Sequence, residues 1–584
     1  MCGIAGYVRR GGFVPSPGQV DRLTDALAHR GPDGEGRLEI GDTTLVHRRL
    51  AIIDLETGDQ PFQDRAGVSL IANGEIYNYR ELTTEIGPGT LSTKSDCELP
   101  LHLYKCYGLS FTHHLRGMYA LAIHDSIKGQ LILARDPFGI KPLYYVSSPH
   151  YFAFASEAQA LIEAGFAPRT PSPGACRELL NKQFISGKCT AFGEIFRVLP
   201  GETLVVKQGE IVEKRYLSAL PERCPSGNDF VSLESQLDAF LMESVDFHQR
   251  ADVPYGMFLS GGVDSSALLT VMARLNSEPV LTYTAGFGSA SVPDETSQAR
   301  AVAKALGATH VEVNITEKDF WRDLPNIAAA LDDPCADYAI IPSYGLAREA
   351  AKDVKVILSG EGGDELFAGY GRYRRALRPR WLGGRDAQRN GFLDQITVLK
   401  KEVPPEPRQN TMNLSQYTRL QALQAEDFVD WLPHDLLIKL DRCLMSHGLE
   451  GRTPFLDKPL ADFVFCLPDR EKVNFRRGKK LLRSWLDKRL PNAQAFARKK
   501  GFTVPISRWL GERSKELGGM VSRQPGIQEL CVPDTVVSVF GTRSKRAVQA
   551  SWRLLFFSLW HRRHVLGLVP EGDVFDCLSA SSEH

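Results

Sequence analysis

Two kinds of strand pattern share this chain, and no single sheet accommodates both. Up to about residue 200, short apolar runs at 43–47, 68–72, 120–123 and 130–134 are punctuated by turns and lack regular alternation with helices. That pattern predicts mixed or antiparallel β-structure with few helices. The stretch 217–229, with Pro221, Pro225, Gly227 and Asn228, breaks all periodicity and reads as a linker. After it come an amphipathic helix over 233–247, an apolar strand over 255–259, a helix from about Ser265, a strand over 280–284, a helix around 296–306, and strands over 310–313 and 354–358. Strands alternating with helices predict a doubly wound parallel sheet, whose ligands bind beyond the carboxyl ends of its strands. Beyond about residue 370 the pattern is mostly helical. With 584 residues, more than one core usually serves, the chain is expected to divide into a first domain over 2–210, a linker over 211–234 and a second domain over 235–584.

Lys and Arg number 70, as do Asp and Glu. A net charge of zero argues against a dedicated binder of nucleic acid or of membrane surfaces. The most apolar late stretch, 554–560, lies between Arg553 and His561-Arg562-Arg563; it is too short to span a bilayer and predicts a buried helix. The eleven cysteines contain no C-x-x-C pair, which disfavours structural zinc and thioredoxin-like redox chemistry. Their odd number, their irregular spacing and the lack of a secretory signal predict unpaired thiols in a reducing cytoplasm.

Position sets one of these cysteines apart. Removal of Met1 would leave Cys2 as the first residue, carrying a terminal amine whose ordinary pKa, near 7.7–8.0, is far closer to neutrality than that of lysine. Such an amine can serve as general base for the thiol of its own residue, and the thiolate attacks acyl carbons, amides especially. Asn73-Gly74 supplies a side-chain amide and a backbone N–H in succession, donors suited to an oxyanion or to an ordinary turn. Arg49, at the head of the apolar run Leu50-Ala51-Ile52-Ile53, suits a substrate carboxylate or a surface ion pair. Asp96, within Ser95-Asp96-Cys97-Glu98, suits an ammonium.

Taken in order, Cys2-Gly3-Ile4, His29-Arg30-Gly31-Pro32-Asp33, the run 49–54, Thr57-Gly58-Asp59-Gln60-Pro61, Asn73-Gly74-Glu75-Ile76-Tyr77-Asn78, the run 95–98, and the later stretches 117–120, 135–144 and 154–157 resemble the class II glutamine amidotransferase domain. The resemblance implies an αββα N-terminal-nucleophile sandwich that releases ammonia from glutamine. It makes Cys2 the nucleophile and its amine the base, with Asn73 and Gly74 as the oxyanion hole. It also places Arg49, Leu50, Ala51, Ile52, Ile53, Asn73, Gly74, Glu75 and Asp96 around the glutamine, with Arg49 on its carboxylate and Asp96 on its amine.

A second constellation opens the other half. Ser260-Gly261-Gly262-Val263-Asp264-Ser265-Ser266 follows an apolar strand and precedes a helix. Its glycines let backbone N–H groups approach a ligand, and the helix N-terminus adds partial positive charge, so the turn reads as a pyrophosphate cradle in which Asp264 can reach Mg²⁺. A capped strand–helix turn is the plainer alternative. The absence of a G-x-x-x-x-G-K-[ST] pattern disfavours γ-phosphate transfer. Ser359-Gly360-Glu361-Gly362-Gly363-Asp364-Glu365 ends another apolar strand with carboxylates suited to Mg²⁺ and to acid–base work. Lys479, within Arg477-Gly478-Lys479-Lys480, can neutralise charge developing on phosphoryl groups.

Ser-Gly-Gly-x-Asp-Ser resembles the PP-loop of ATP pyrophosphatases. Together with the runs 359–370, 441–457 and 499–506, it makes residues 235–560 similar to the synthetase domain of glutamine-hydrolysing asparagine synthetases. The resemblance implies that ammonia passes between the domains to a carboxylate adenylated by ATP, most simply aspartate, giving the amide, AMP and pyrophosphate. It places Asp264 and Asp364 on Mg²⁺, Glu361 and Lys479 at the adenylate, and Phe258, Leu259, Ser260, Gly261, Gly262, Asp264, Ser265, Ala285, Ser359 and Gly360 around ATP. A homodimer is a further expectation from such relatives. Gly451, Thr453, Cys335 and Tyr338 depart from the commoner family pattern, which leaves another carboxylic acid of a sugar, antibiotic or peptide pathway as the alternative acceptor. A ring-forming ligase of the β-lactam synthetase type is disfavoured because Cys2 and its partners are intact. A non-catalytic protein is disfavoured because Asp264, Glu361, Asp364 and Lys479 are all retained.

Overall fold

The computed structural model describes residues 2–87, 89–224, 233–288, 296–379, 381, 384, 393–401, 414–497 and 504–581. The first half contains the strands β1 (Gly3–Arg9), β2 (Gly34–Ile40), β3 (Thr43–Arg49), β4 (Phe62–Gln63), β5 (Val68–Ile76), β6 (Gly117–Asp125), β7 (Gln130–Arg135), β8 (Tyr144–Ser147), β9 (Tyr151–Ala155), β10 (Phe196–Arg197), β11 (Glu202–Lys207) and β12 (Glu210–Tyr216). They form two antiparallel sheets of six strands, in the orders β10-β8-β9-β1-β3-β2 and β12-β11-β7-β6-β5-β4.

Strand alternation shows why the sheets stack. On β1, Ile4 and Val8 face the second sheet in a core shared with Ile71, Ala120, Leu131 and Leu204, while Ala5 and Tyr7 face outward onto helices that include Gln19–Asp25 and Ala158–Glu163. The outer face of the second sheet, with Leu70, Ala72, Tyr119 and Leu121, is covered by residues of Leu99–Tyr107. Helix, sheet, sheet and helix therefore stack as the expected αββα sandwich.

The second half is built on β13 (Tyr255–Phe258), β14 (Leu281–Gly286), β15 (Thr309–Asn314), β16 (Val356–Leu358) and β17 (Glu450–Arg452). All neighbours are parallel, in the order β15-β14-β13-β16-β17, so the chain reverses its direction of winding between β13 and β16. That switch point opens a crevice at the carboxyl ends of these two strands. The late apolar stretch forms the buried helix Lys545–His564, with Trp560 and Phe556 fully enclosed.

Two sequence expectations change. The segment expected as linker from 211 onward begins later, because Glu210–Tyr216 forms the edge strand β12, paired with β11 from Glu202↔Tyr216 to Lys207↔Glu210. Its side chains are mostly exposed and charged, so no apolar rhythm marks it. The second concerns the cysteines: Cys224 and Cys466, 242 residues apart, form a disulfide with Cα atoms 5.1 Å apart. It ties the segment after β12 to the end of the helix Lys458–Phe465. The linker residues 225–232 and the family motif at 499–503 lie outside the described residues.

Candidate functional site

The residues expected to cleave glutamine gather where β1 begins. The Cys2 backbone N–H donates to Asn73 Oδ1 at 3.1 Å, and Arg30 Nε donates to the Cys2 carbonyl at 3.2 Å. Burial pushes the Cys2 thiol up, against the amino terminus and the Leu50 backbone N–H that faces it. Asn73 Nδ2 is buried without a hydrogen-bond partner, an unused donor on the amide whose oxygen holds the Cys2 N–H. That is what an oxyanion hole requires. Gly74 is dictated by space: a β-carbon there would lie 2.2 Å from the Met118 carbonyl on β6.

The residues expected around glutamine divide. Asp96 is buried, accepts from the Ile76 N–H at 2.7 Å, and is pushed by that burial up to about 6. Arg49 meets Asp59 at 2.8 Å and the Asp54 carbonyl, so in this structure its guanidinium is held by the loop that follows β3. Glu75 turns toward the other half: its Oε1 lies 3.1 Å from Arg452 Nη2, and Arg452 Nε is 2.6 Å from Glu450. Burial, then the neighbouring Asp96, raises the Glu75 carboxyl well above its ordinary range. Leu50, Ile52 and Ile53 join Met118, Phe138 and Ile140 in an apolar cluster that continues into Leu259, Leu358 and Leu437 of the second half.

Buried charge closes this interface. Arg30 is fully enclosed and binds both Asp441 oxygens at 2.8 and 3.0 Å and Glu157 at 2.8 Å. Burial alone would raise the Asp441 and Glu157 carboxyls; Arg30 and Arg442, with His29 on Glu157, hold both below their ordinary range. Arg116 forms a matching fork on Asp457 at 2.7 and 2.5 Å. Replacing Arg30 by Met removes the enclosed cation that Asp441 and Glu157 share, leaving them to Arg442 and His29, and is expected to cost about 3–5 kcal/mol, read as a lower midpoint in urea unfolding.

The synthetase residues converge at the switch point. The turn after β13 is held by Ser265: its Oγ accepts from the Ser260 N–H at 3.2 Å and lies 3.1 Å from Ser260 Oγ. Gly261 sits at φ +68, and a β-carbon there would meet the Ala299 nitrogen at 2.8 Å. The turn enters the helix Val263–Leu275, whose first-turn N–H groups are left without intrahelical partners just beyond the carboxyl end of β13. Leu259 donates to the Tyr283 carbonyl at 2.9 Å, and Phe258 pairs with Tyr283, two residues before Ala285 on β14. Ser359 and Gly360 follow β16, and a β-carbon on Gly360 would lie 3.2 Å from Asp264 Cβ. The family resemblance places these residues around one ligand, and the fold brings them to the carboxyl edge of β13, β14 and β16.

Lys479, in the left-handed region at φ +57, buries its ammonium between Asp264 and Asp364, with Asp364 Oδ1 at 2.6 Å. Asp264 Oδ1 is buried without a hydrogen-bond partner. Among the described residues no group of three His, Cys, Asp or Glu could hold a metal. Two hard carboxylates fit Mg²⁺ that takes its remaining oxygens from phosphate and water.

Glu361 points elsewhere, to Lys439 Nζ at 3.5 Å, and Lys439 also meets Asp337 at 3.2 Å. Burial would lower the Lys439 ammonium, but Glu361, Asp337 and Asp435 raise it well above the usual range. Lys439 and Asp337 were not singled out from the sequence; the one signal was their place beside motifs that were. Cys335, one of the departures from the family pattern, is buried at this cluster. Gly451 stands on β17, where a β-carbon would meet Leu440 and Leu444 at 3.1–3.3 Å.

Comparison with known proteins covers both halves. Residues 1–217 match the glutamine amidotransferase domain and residues 236–562 match asparagine synthase. The chain is 31% identical to asparagine synthetase [glutamine-hydrolyzing] 1 of Bacillus subtilis, covering 96% of each chain. It is 30% identical to a putative asparagine synthetase [glutamine-hydrolyzing] of Mycobacterium tuberculosis, covering 96% of this chain and 97% of that one. It is also 26% identical to amidase chry2 of Gibberella zeae, covering 90% and 91%.

Proposed function

Because the chain belongs to the glutamine-hydrolysing asparagine synthetase family, and is thus an ATP-using ligase joined to a glutamine amidotransferase, we propose that its acceptor is aspartate. The observation that carries this reading is the Lys439 cluster. An ammonium between Glu361 and Asp337, with Asp435 close by, offers a cation for a carboxylate and carboxylates for an α-ammonium, a pattern made for an amino acid.

Cys2 attacks the glutamine amide carbon, its proton passing to the terminal amine once Met1 is removed. Asn73 and Gly74 hold the oxyanion, ammonia leaves, and water hydrolyses the thioester. Asp96 holds the glutamine ammonium, and Arg49 exchanges Asp59 for the glutamine carboxylate. Ammonia crosses the apolar cluster from Leu50 to Leu259, which gives it nothing to protonate it. At the switch point an acceptor carboxylate oxygen attacks the α-phosphorus of ATP and pyrophosphate leaves. Ammonia then attacks the acyl carbon, and AMP leaves. Asp264 and Asp364 would hold Mg²⁺, which supplies neutralising charge on the pyrophosphate. Lys479 adds its own charge there, and Glu361 takes the proton that the ammonia nitrogen sheds. The reading includes a cytoplasmic enzyme and a homodimer. No helix among the described residues is long and apolar enough to cross a membrane.

Incubation with glutamine, ATP and aspartate is expected to yield asparagine and AMP in equal amounts. Glutamine hydrolysis without either product would remove aspartate, and a screen of carboxylic acids for AMP release would then identify the acceptor. The amidase-named relative and the altered residues Cys335 and Gly451 favour a different acid as the second reading.

The state of Asp96 gives a pH test. Only the ionised carboxylate binds an ammonium, and burial places its transition at about 6. kcat/KM for glutamine should therefore fall as pH drops through about 6, while ammonia-dependent synthesis at a fixed concentration of free NH₃ keeps its rate. A flat glutamine profile from pH 5 to 7 would exclude Asp96 from that role.

A further inference from the structure

One residue of the glutaminase half reaches the acceptor cluster of the other. The helix Pro173–Lys182 ends at Gln183, whose backbone lies in the left-handed region at φ +75. A side-chain-bearing residue adopts that conformation only when its surroundings hold it there, and glycine would end the helix with less strain. What glutamine adds is an amide: Nε2 donates to Asp435 Oδ2 at 2.8 Å. Its backbone carbonyl accepts from the Ala336 N–H at 2.6 Å.

Both partners lie beside Lys439. Asp435 is completely buried and acts on the Lys439 charge. Ala336 precedes Asp337, the other carboxylate on that ammonium. The following glutaminase residues continue the contact along the helix Asp427–Leu436: Phe184 meets Trp431 edge to face at 5.5 Å, and Ser186 Oγ reaches Asp430 at 3.4 Å. The neighbouring stretch is fixed from the same side, since Arg197 forks onto Asp333 and Tyr144 donates to it at 2.8 Å.

We propose that Gln183 is a positioning residue for the acceptor pocket: by holding Asp435 and the Ala336 backbone, it fixes where Lys439 presents its charge beside Glu361. The glutaminase half thereby sets the affinity of the synthetase half for its acid. This rests on the reading of Glu361 as part of the acylation centre.

The test uses the full-length protein and the acid with the highest rate of AMP release, aspartate on the present reading, with ammonia as nitrogen donor. Gln183→Gly removes the amide and relaxes the left-handed turn. Gln183→Glu keeps the length but places a carboxylate against Asp435. Losing one hydrogen bond to a charged group is expected to raise the acceptor KM about tenfold in Gln183→Gly, and further in Gln183→Glu. The KM for ATP and glutaminase kcat/KM should stay within about twofold. An acceptor KM unchanged in Gln183→Gly overturns the proposal whatever Gln183→Glu does, and so does a parallel rise in the KM for ATP. Gln183→Asn, whose side chain tolerates this backbone, replaces the glycine variant should that one fail to fold. Glu361→Gln separates the two layers. Normal amidation by it would sink the site reading itself, whereas an inactive Glu361→Gln beside an unchanged Gln183→Gly would remove only the role of Gln183.

Discussion

Cys2→Ala is expected to lose glutamine-dependent synthesis by at least about 10⁴-fold, since nothing replaces a deleted nucleophile. Synthesis from ammonia should continue at close to the parental rate. The asymmetry follows from the architecture: Cys2 lies at the start of β1 in the sandwich, while the Ser260 loop, Lys479 and Glu361 gather at the carboxyl ends of β13 and β16. Between them lies the apolar cluster with Leu50, Met118 and Leu259, which an alanine at position 2 leaves in place. The Cys2 backbone N–H still donates to Asn73, so the fold should tolerate the change. Parallel rates of AMP release and amide formation from glutamine and from ammonia, with the acid that the protein accepts, decide the matter. Equal loss of both would mean that the two reactions share a site.

The complementary variant is Lys479→Asn, which is expected to reduce ATP–pyrophosphate exchange on the order of 10³-fold while glutamine hydrolysis continues. Asparagine is chosen because position 479 lies at φ +57, where Asn is among the best-tolerated side chains. The loss is therefore one of charge rather than of backbone. Without the ammonium, Asp264 and Asp364 face each other with no cation between them, and on the proposed reading a charge that would meet the pyrophosphate is gone. Lys479→Arg should not restore exchange. The crevice is narrow at this point, with a β-carbon on Gly369 lying 2.2 Å from Lys479 Cε, and a planar guanidinium needs more width than an ammonium. Exchange at the parental rate in Lys479→Asn would remove Lys479 from the adenylation step, whereas parental exchange in Lys479→Arg would show that charge alone suffices at this point.

Much of this was legible from residue order. The strands β3, β5, β6 and β7 and the alternation from β13 to β16 carry their own apolar runs, and the turn chemistry of Ser260-Gly261-Gly262 and Ser359-Gly360 marks where the sheet would receive a ligand. Local pattern failed where local pattern carries no information. β12 is an exposed edge strand with a charged surface, so it resembles a linker until β11 supplies its partner. The Cys224–Cys466 pair, the Glu75–Arg452 contact and the Arg30–Asp441 fork join residues hundreds of positions apart, and only the packed interface brings them together. Lys439 and Gln183 belong with these: each is an ordinary polar residue on a helix or at its end until the fold gives it a distant carboxylate to meet.

The sharing of core between the halves bears on how such a protein can be rebuilt. The two largest apolar clusters each draw on both halves: one joins Tyr7, Leu161 and Phe184 to Trp560 and Trp509, the other joins Ile52 and Phe138 to Leu437 and Phe428. A graft of a foreign glutaminase onto this synthetase would have to import its matching half of those surfaces, including partners for Asp441, Asp457 and Asp333. Recombination at 217–232, the junction that a parts-list view of the chain recommends, would divide both clusters between two parents. Exchange of acceptor preference between relatives is better sought by transplanting the wall formed by 183–186 and 332–338 within one intact chain.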